Sequence, residues 1–358
     1  MTNFDEYLRQ SEPERREKGY AWQTAIGLQA VDGLTPSEYL IETARKHIEG
    51  DITIDEVQER IKSYYQSKKT RTAEDDEREE ADRASANITK LLGERSFAFT
   101  VAGFTAVHRR IFDGVFKFAG KIRDYNITKK EWVLRGDTVL YVSAPDLRAA
   151  IEHDLEQEKA FDFTGLNMAE VTKHIVKFVS GLWQIHPFGE GNTRTVAVFT
   201  IQYLRSLGFD VHNKLFADNS WYFRNALVRA NYQNIQKGIK RNPEYLEHFF
   251  RNLLMDEKNE LKNRLMLIGD EHDAEIQRAN SQEDNEAKCK VCTLDCTLEE
   301  TVVLQHIREN PRATQKEIAA RIGKSERTVK TITVSLVAKG LIERKNGKRN
   351  GFWEVKTP

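Results

Sequence analysis

Apolar positions recur with a helical period along most of the chain. Leu40, Ile41 and Ala44, followed by Ile48, fall on one face of a helix over Glu38–His47, with Gly50 as its stop. Thr53 and Glu56 have capping-box spacing and open a helix whose apolar face is Ile54, Val57, Ile61 and Tyr64. From about Ile88 to Leu254 most segments keep the 3.6-residue period, as in Val171–Ile185 and in Val196–Leu207, the latter closed by Gly208. Glu131–Val142 breaks the period. There Trp132, Leu134, Val139 and Tyr141 flank Arg135-Gly136-Asp137, which predicts a short β-hairpin in an otherwise helical core.

Polar stretches punctuate this pattern. Gln66–Asp82, with the acidic run Glu74–Glu80, reads as a boundary, Gly269–Cys296 as a linker, and Asn346–Gly351 as a turn. The expected division is a helical N-terminal region over 1–70, a central domain over 85–265, the linker over 269–296 and a C-terminal module over 297–358. A chain of 358 residues with 39% hydrophobic and 31% charged residues is long enough for two or three domains. It has no run of 18 apolar residues and no signal-peptide pattern, so a cytoplasmic protein without a membrane partner is expected. Cys289, Cys292 and Cys296 have C-x2-C-x3-C spacing, and no His or Cys follows until His306. That favours reduced thiols in a linker over a zinc site.

The segment richest in chemistry is His186-Pro187-Phe188-Gly189-Glu190-Gly191-Asn192-Thr193-Arg194, between the two apolar helices. One helix ends there, Gly189 and Gly191 permit an unusual backbone path, and a second helix starts near Asn192. Backbone N–H groups at such a helix start, with the positive end of its dipole, suit phosphate. Asn192 adds an amide donor and Arg194 a forked cation. Glu190 would repel phosphates unless a Mg²⁺ ion bridges it to them. His186 is the side chain most easily tuned to take a proton near neutral pH. This set points to phosphoryl or nucleotidyl transfer.

The segment resembles the signature of the Fic family, H-P-F-x-(D/E)-G-N-G-R-x-x-R, at His186, Pro187, Phe188, Glu190, Gly191, Asn192 and Arg194. Phe118-Ala119-Gly120-Lys121-Ile122-Arg123 resembles the stretch before that family's target-binding flap, and the hairpin expected at Glu131–Val142 resembles the flap itself. The resemblance extends over about Ser85–Leu254. It implies a mainly α protein, a Fic-like helical bundle with a β-hairpin flap, that transfers AMP from ATP to a Ser, Thr or Tyr hydroxyl of a target protein. His186 would be the catalytic base, Glu190 would hold Mg²⁺, and ATP would meet Gly189, Glu190, Gly191, Asn192, Thr193 and Arg194. Two positions depart from the signature: Thr193 replaces a glycine, and Ala197 replaces the second arginine.

Ala25–Leu34 with the two helices that follow resembles the small antitoxins of Fic toxins, here in the same chain, with Asp32 and Gly33 at the inhibitory positions and Leu28 in place of the hydroxyl residue. A plain helical brace is the competing reading, and with Ala197 unable to pair with Asp32, Arg194 or a ligand cation is the substitute partner. From Leu298 onward, helix, helix, turn, helix and hairpin resemble a winged helix-turn-helix domain. Lys324, Arg327 and Lys330 on its third helix and Lys345, Lys348 and Arg349 on its wing are placed for the phosphates of double-stranded DNA, with Thr328 and Thr331 toward base edges. A protein-binding or homo-oligomerising winged helix is the alternative. Lys+Arg and Asp+Glu both number 55, yet Thr297–Pro358 holds 13 against 7, or +6, which leaves −6 elsewhere. The zero net charge therefore does not exclude DNA for the C-terminal module. Overall, an AMP transferase with a DNA-binding domain is expected; the runner-up is a DNA-binding regulator that binds nucleotide without turnover.

Overall fold

A computed structural model of the chain describes residues 4–9, 12–94, 96–211, 214–269, 296–345 and 351–356. All of the linker except Gly269 and Cys296, the wing turn at 346–350, Cys289, Cys292, Lys348 and Arg349 lie outside the described residues.

The N-terminal helices are α1 (Asp5–Leu8), α2 (Pro13–Gly27), a 3-10 turn at Leu28–Asp32, α3 (Glu38–Glu49) and α4 (Ile54–Gln66). Both expected signals hold: Gly50 closes α3 at positive φ, and Thr53 with Glu56 forms the capping box of α4. The acidic run, read as a solvated helix start or linker at a boundary, is the opening of α5 (Ala73–Gly93), capped by Thr72 and Asp75. Acidic side chains suit the positive end of a helix dipole. Buried Asp82 of α5 accepts from Ser37 N at 2.8 Å, Ser37 Oγ at 2.5 Å and Tyr65 Oη at 2.8 Å, tying three helices together.

The central bundle follows as α6 (Val101–Ile111), α7 (Leu147–Ala160), α8 (Met168–Ile185), α9 (Asn192–Ser206), α10 (Lys214–Asp218), α11 (Ser220–Asn231) and α12 (Glu244–Met255). Every residue of α9 from Asn192 to Leu204 is buried, so this helix is the axis of the bundle. Ala197, in place of the second signature arginine, is fully buried there. Ala21, Ala25 and Leu28 of the N-terminal region belong to the same core as α8 and α9.

The expected flap hairpin forms no strand ladder. Trp132–Leu134 is a 3-10 turn, with Val133 and Leu134 buried. The Val133 carbonyl accepts from Ile268 N at 3.0 Å, and the Arg135 side chain donates through Nε to the Ile268 carbonyl at 2.7 Å, so a segment far along the chain takes one backbone carbonyl that a hairpin could pair.

The C-terminal module is α13 (Leu298–Glu309), α14 (Gln315–Ile322), α15 (Glu326–Ala338) and an antiparallel pair, β1 (Ile342–Lys345) and β2 (Phe352–Val355). Val303, Ile307, Ile318, Val329, Leu336 and Trp353 form its own core, with buried Cys296. The other face of α13 docks on the bundle. Leu298 and Val302 enter the main core, and Gln305 Nε2 donates to the Asp210 carbonyl at 2.8 Å. A Cβ at Gly208, two residues beyond α9, would come within 3.1 Å of Val302. Val302→Asp places a carboxylate in that contact, and we expect a loss of about 3 kcal/mol or more of stability, read by chemical unfolding of the full chain.

Candidate active site

The turn between α8 and α9 brings the signature residues together. His186 ends α8 in the left-handed region at φ 52° and ψ 56°, a conformation that costs a non-glycine residue roughly 1–3 kcal/mol and therefore needs support. Arg123 supplies it: its Nε donates to the His186 carbonyl at 2.9 Å, its backbone N–H donates to the Pro187 carbonyl at 2.9 Å, and its other nitrogens hold the Tyr125 and Val142 carbonyls. The His186 ring packs on Tyr141, with centroids 4.2 Å apart. Nδ1 lies 3.3 Å from the Trp183 carbonyl, which can only accept, so the proton sits on Nδ1 and Nε2 carries the lone pair. Nε2 is buried and has no partner. Burial first, then the charges of Lys129, Arg224 and Arg123, hold His186 well below 6.5 despite the Trp183 carbonyl, so the ring is a neutral base.

The loop backbone is clamped from several sides. Gly191 has φ 76°, and a Cβ there would lie 2.2 Å from Phe112, so this position requires glycine. A Cβ at Gly189 would meet the Tyr125 hydroxyl at 2.7 Å. The amide expected from Asn192 to reach phosphate is used inside the loop: Oδ1 accepts from Phe188 N at 3.0 Å, and Nδ2 donates to the Phe188 carbonyl at 2.8 Å. Thr193 sits in helical conformation within α9, so replacement of glycine carries no backbone strain, and its hydroxyl accepts from Trp183 Nε1 at 3.0 Å. His108 accepts from Gly120 N at 2.8 Å through Nδ1, and its Nε2 donates to the Glu190 carbonyl at 3.0 Å. Its ring stacks on Phe188.

The charged members are each answered: Arg194 by Asp32, a pairing the sequence suggested, and by Gln29 and Glu80, and Glu190 by Lys129, none of which the sequence singled out. Arg194, fully buried, meets Asp32 as an ion pair at 2.8 Å, without the alignment of a hydrogen bond. It donates to Gln29 Oε1 at 2.9 Å and Glu80 Oε1 at 2.7 Å, and its guanidinium lies 4.7 Å from the Phe112 ring centroid. Gly33 follows Asp32 in the left-handed region at φ 74° and closes the 3-10 turn. Both oxygens of Glu190 accept from Lys129 Nζ, at 2.9 and 3.1 Å. Burial pushes the Glu190 carboxyl up, but Lys129 and the Gly191 N–H pull it below its usual range. Beside Lys129, buried Glu131 pairs with Arg224 at 2.7 Å. Arg123 and His108 lie in the stretch that resembles the family, whereas Gln29, Glu80 and Lys129 stand 61 to 165 residues from their partners with no local signal.

Residues 98–204 match the Fic/DOC family, and residues 302–343 match winged helix-turn-helix DNA-binding domains. The chain carries a Fic/DOC domain. A stretch of 122 residues is 29% identical to protein adenylyltransferase VbhT of Bartonella schoenbuchensis, covering 34% of this chain and 24% of that protein. The match thus spans about a quarter of that relative. A crystal structure of a Fic family protein from Desulfovibrio desulfuricans G20 aligns over 99% of this chain and 90% of its own, at 14% identity and a TM-score of 0.45.

The winged-helix residues sort into two groups. Lys324 pairs with Glu299 at 2.7 Å, and Lys345 with Glu343 and Glu354 at 3.0 and 3.5 Å, so intramodule contacts hold both. Thr328 bonds with the Ser325 side chain, and Thr331 donates back to the Arg327 carbonyl. Arg327, Lys330 and Thr331 are exposed on one face of α15, and neither cation makes an ion pair among the described residues.

Burial holds His108 down at about 4, as it holds His186 down. Below 6.5 the unfolded chain therefore binds protons that the folded Fic domain refuses, so stability is complete above about 6.5 and falls as pH drops. We expect His108 alone to give a slope of about 1.4 kcal/mol per pH unit between these limits. Urea unfolding at about pH 7.5 and about pH 5 checks this; equal stabilities contradict it.

Proposed function

We propose that the Fic domain transfers AMP from ATP to a Ser, Thr or Tyr hydroxyl of a protein. One observation carries the reading: the buried, neutral His186 carries an unpartnered Nε2 in the loop that leads into the start of α9. Nε2 takes the hydroxyl proton as the oxygen forms its bond to the α-phosphorus, and the bond to the pyrophosphate oxygen breaks. The loop N–H groups and the start of α9 face the developing charge. Phe118, Tyr125, Trp132 and Leu140 form an exposed apolar rim suited to a target segment.

Mg²⁺ fits the folded residues poorly. Glu190 is the one carboxylate at the loop, Lys129 already holds both its oxygens, and no group of three or more His, Cys, Asp or Glu that could hold an ion occurs among the described residues. A bound ion would neutralise phosphate charge, but no step here is derived through it.

The N-terminal segment acts as a brake in this reading. Asp32, Gln29 and Glu80 keep Arg194 from the outer phosphates, with Asp32 paired to Arg194 in place of the absent second arginine. Intact mass spectrometry of the full chain after incubation with ATP should show automodification by adenylyl groups, absent in His186→Ala. Asp32→Ala leaves Arg194 paired to Glu80, so the fold survives, and the automodification rate should rise about three- to tenfold. A phosphate adduct in place of an adenylyl adduct defeats the reading, and an unchanged rate in Asp32→Ala removes the brake.

The winged helix is proposed to bind duplex DNA through Arg327 and Lys330. The buried Ala197 and the occupied Arg194 also suit the second reading, a DNA-binding regulator that holds nucleotide without turnover; the free lone pair of His186 speaks against it. For the full chain, Arg327→Ala with Lys330→Ala should weaken DNA binding and flatten its logarithmic salt dependence by about two. Salt-independent binding would instead identify a protein-binding module.

A further inference from the structure

Four cations surround the catalytic loop, and three are fully engaged. Arg194 is enclosed by Asp32, Glu80, Gln29 and Phe112. Arg123 is buried and holds the carbonyls of His186, Tyr125 and Val142. Arg224 is paired with buried Glu131. Ala197 offers no charge. Lys129 is different: its side chain is 26% exposed and its partner Glu190 is 41% exposed, so solvent reaches the pair.

We propose that Lys129 is the phosphate-gripping residue of this site, its ammonium spanning Glu190 and a phosphate oxygen so that nucleotide binds without a divalent ion. An ammonium has three N–H donors, and Glu190 takes two of them. The third remains for a phosphate oxygen. The bridge geometry is the one a metal would otherwise supply, a cation held by one carboxylate and completed by phosphate. Any divalent ion must first break two charge-assisted hydrogen bonds to reach Glu190. Glu190 then orients the ammonium instead of binding metal. Its own hold on the loop comes from the His108 bond to its carbonyl and from the Gly191 N–H, which donates to Oε1 at 3.2 Å. The segment carrying Lys129 is anchored next door by Glu131, whose N–H donates to the Asp137 carbonyl at 2.9 Å and whose carboxylate meets Arg224.

This assignment rests on the nucleotide reading above, and equilibrium binding separates the two. The probe is α,β-methylene-ATP, which cannot transfer AMP, titrated into the full chain in EDTA and again in excess Mg²⁺. Wild type should bind in both, within about threefold, because one ammonium contact replaces the ion. Lys129→Met should weaken binding in EDTA by about tenfold or more, and Lys129→Arg should restore most of it, which a merely structural role would not produce. Glu190→Gln frees the ammonium from its anion, so binding in EDTA should tighten. Wild-type binding that appears only with Mg²⁺, or equal affinities for wild type and Lys129→Met in EDTA, overturns the proposal. Binding as expected with no adenylyl adduct on any protein leaves Lys129 assigned and removes AMP transfer; an adduct formed only with Mg²⁺ and unaltered in Lys129→Met does the reverse.

Discussion

A guanidinium with no solvent contact sets the terms for the rest of this fold. Arg194 sits on the first turn of α9, the axis of the bundle, and its charge is balanced only from outside the Fic domain, by Asp32, Glu80 and Gln29. Leaving such a charge buried and unpaired costs about 3–5 kcal/mol, so the N-terminal helices are required wherever α9 adopts this position. The same contact explains why Ala25 and Leu28 share the core of α8 and α9. A segment that resembles a separate antitoxin is here a wall of the central domain.

Around that anchor the signature loop is held by hydrogen bonds to its own backbone. Arg123, His108 and Asn192 use side-chain groups on carbonyls and N–H groups of residues 186–190, and Phe112 closes on Gly191. Two of these are ionisable types kept in service by burial: His108 stays neutral, and Arg123 is pulled below its ordinary range by desolvation. The result is a pre-set turn in which His186 Nε2 is buried without a hydrogen-bond partner among the described residues. Rigidity of this kind suits chemistry in which positioning and electrostatics supply most of the acceleration.

The C-terminal module is attached at the far end of the same helices. Thr297 bridges Asn167 at the start of α8, while Val302 and Gln305 meet Gly208 and Asp210 beyond the end of α9. The signature loop joins the opposite ends of α8 and α9. An 18-residue helix spans about 27 Å, so a partner on the winged helix and one at His186 do not compete for the same surface. No helix among the described residues is long and apolar enough to cross a membrane.

Local chemistry made much of this legible from the chain itself. The capping box at Thr53, stops at Gly50 and Gly208, and the apolar periods of α8 and α9 are short-range features, and they appear as read. The Fic signature and the winged helix were likewise contained in contiguous residues. The tertiary structure decided what those residues meet. The flap segment is a 3-10 turn whose Val133 carbonyl is taken by Ile268, and Glu80 at the end of the acidic run meets Arg194. Glu190 found an ammonium 61 residues away, and Asn192 turned inward. Helical propensity, capping and glycine conformation act over a few residues and can be read along the chain. The partner of a buried charge is chosen by which distant segments the core brings within 3 Å, and sequence spacing carries no record of that.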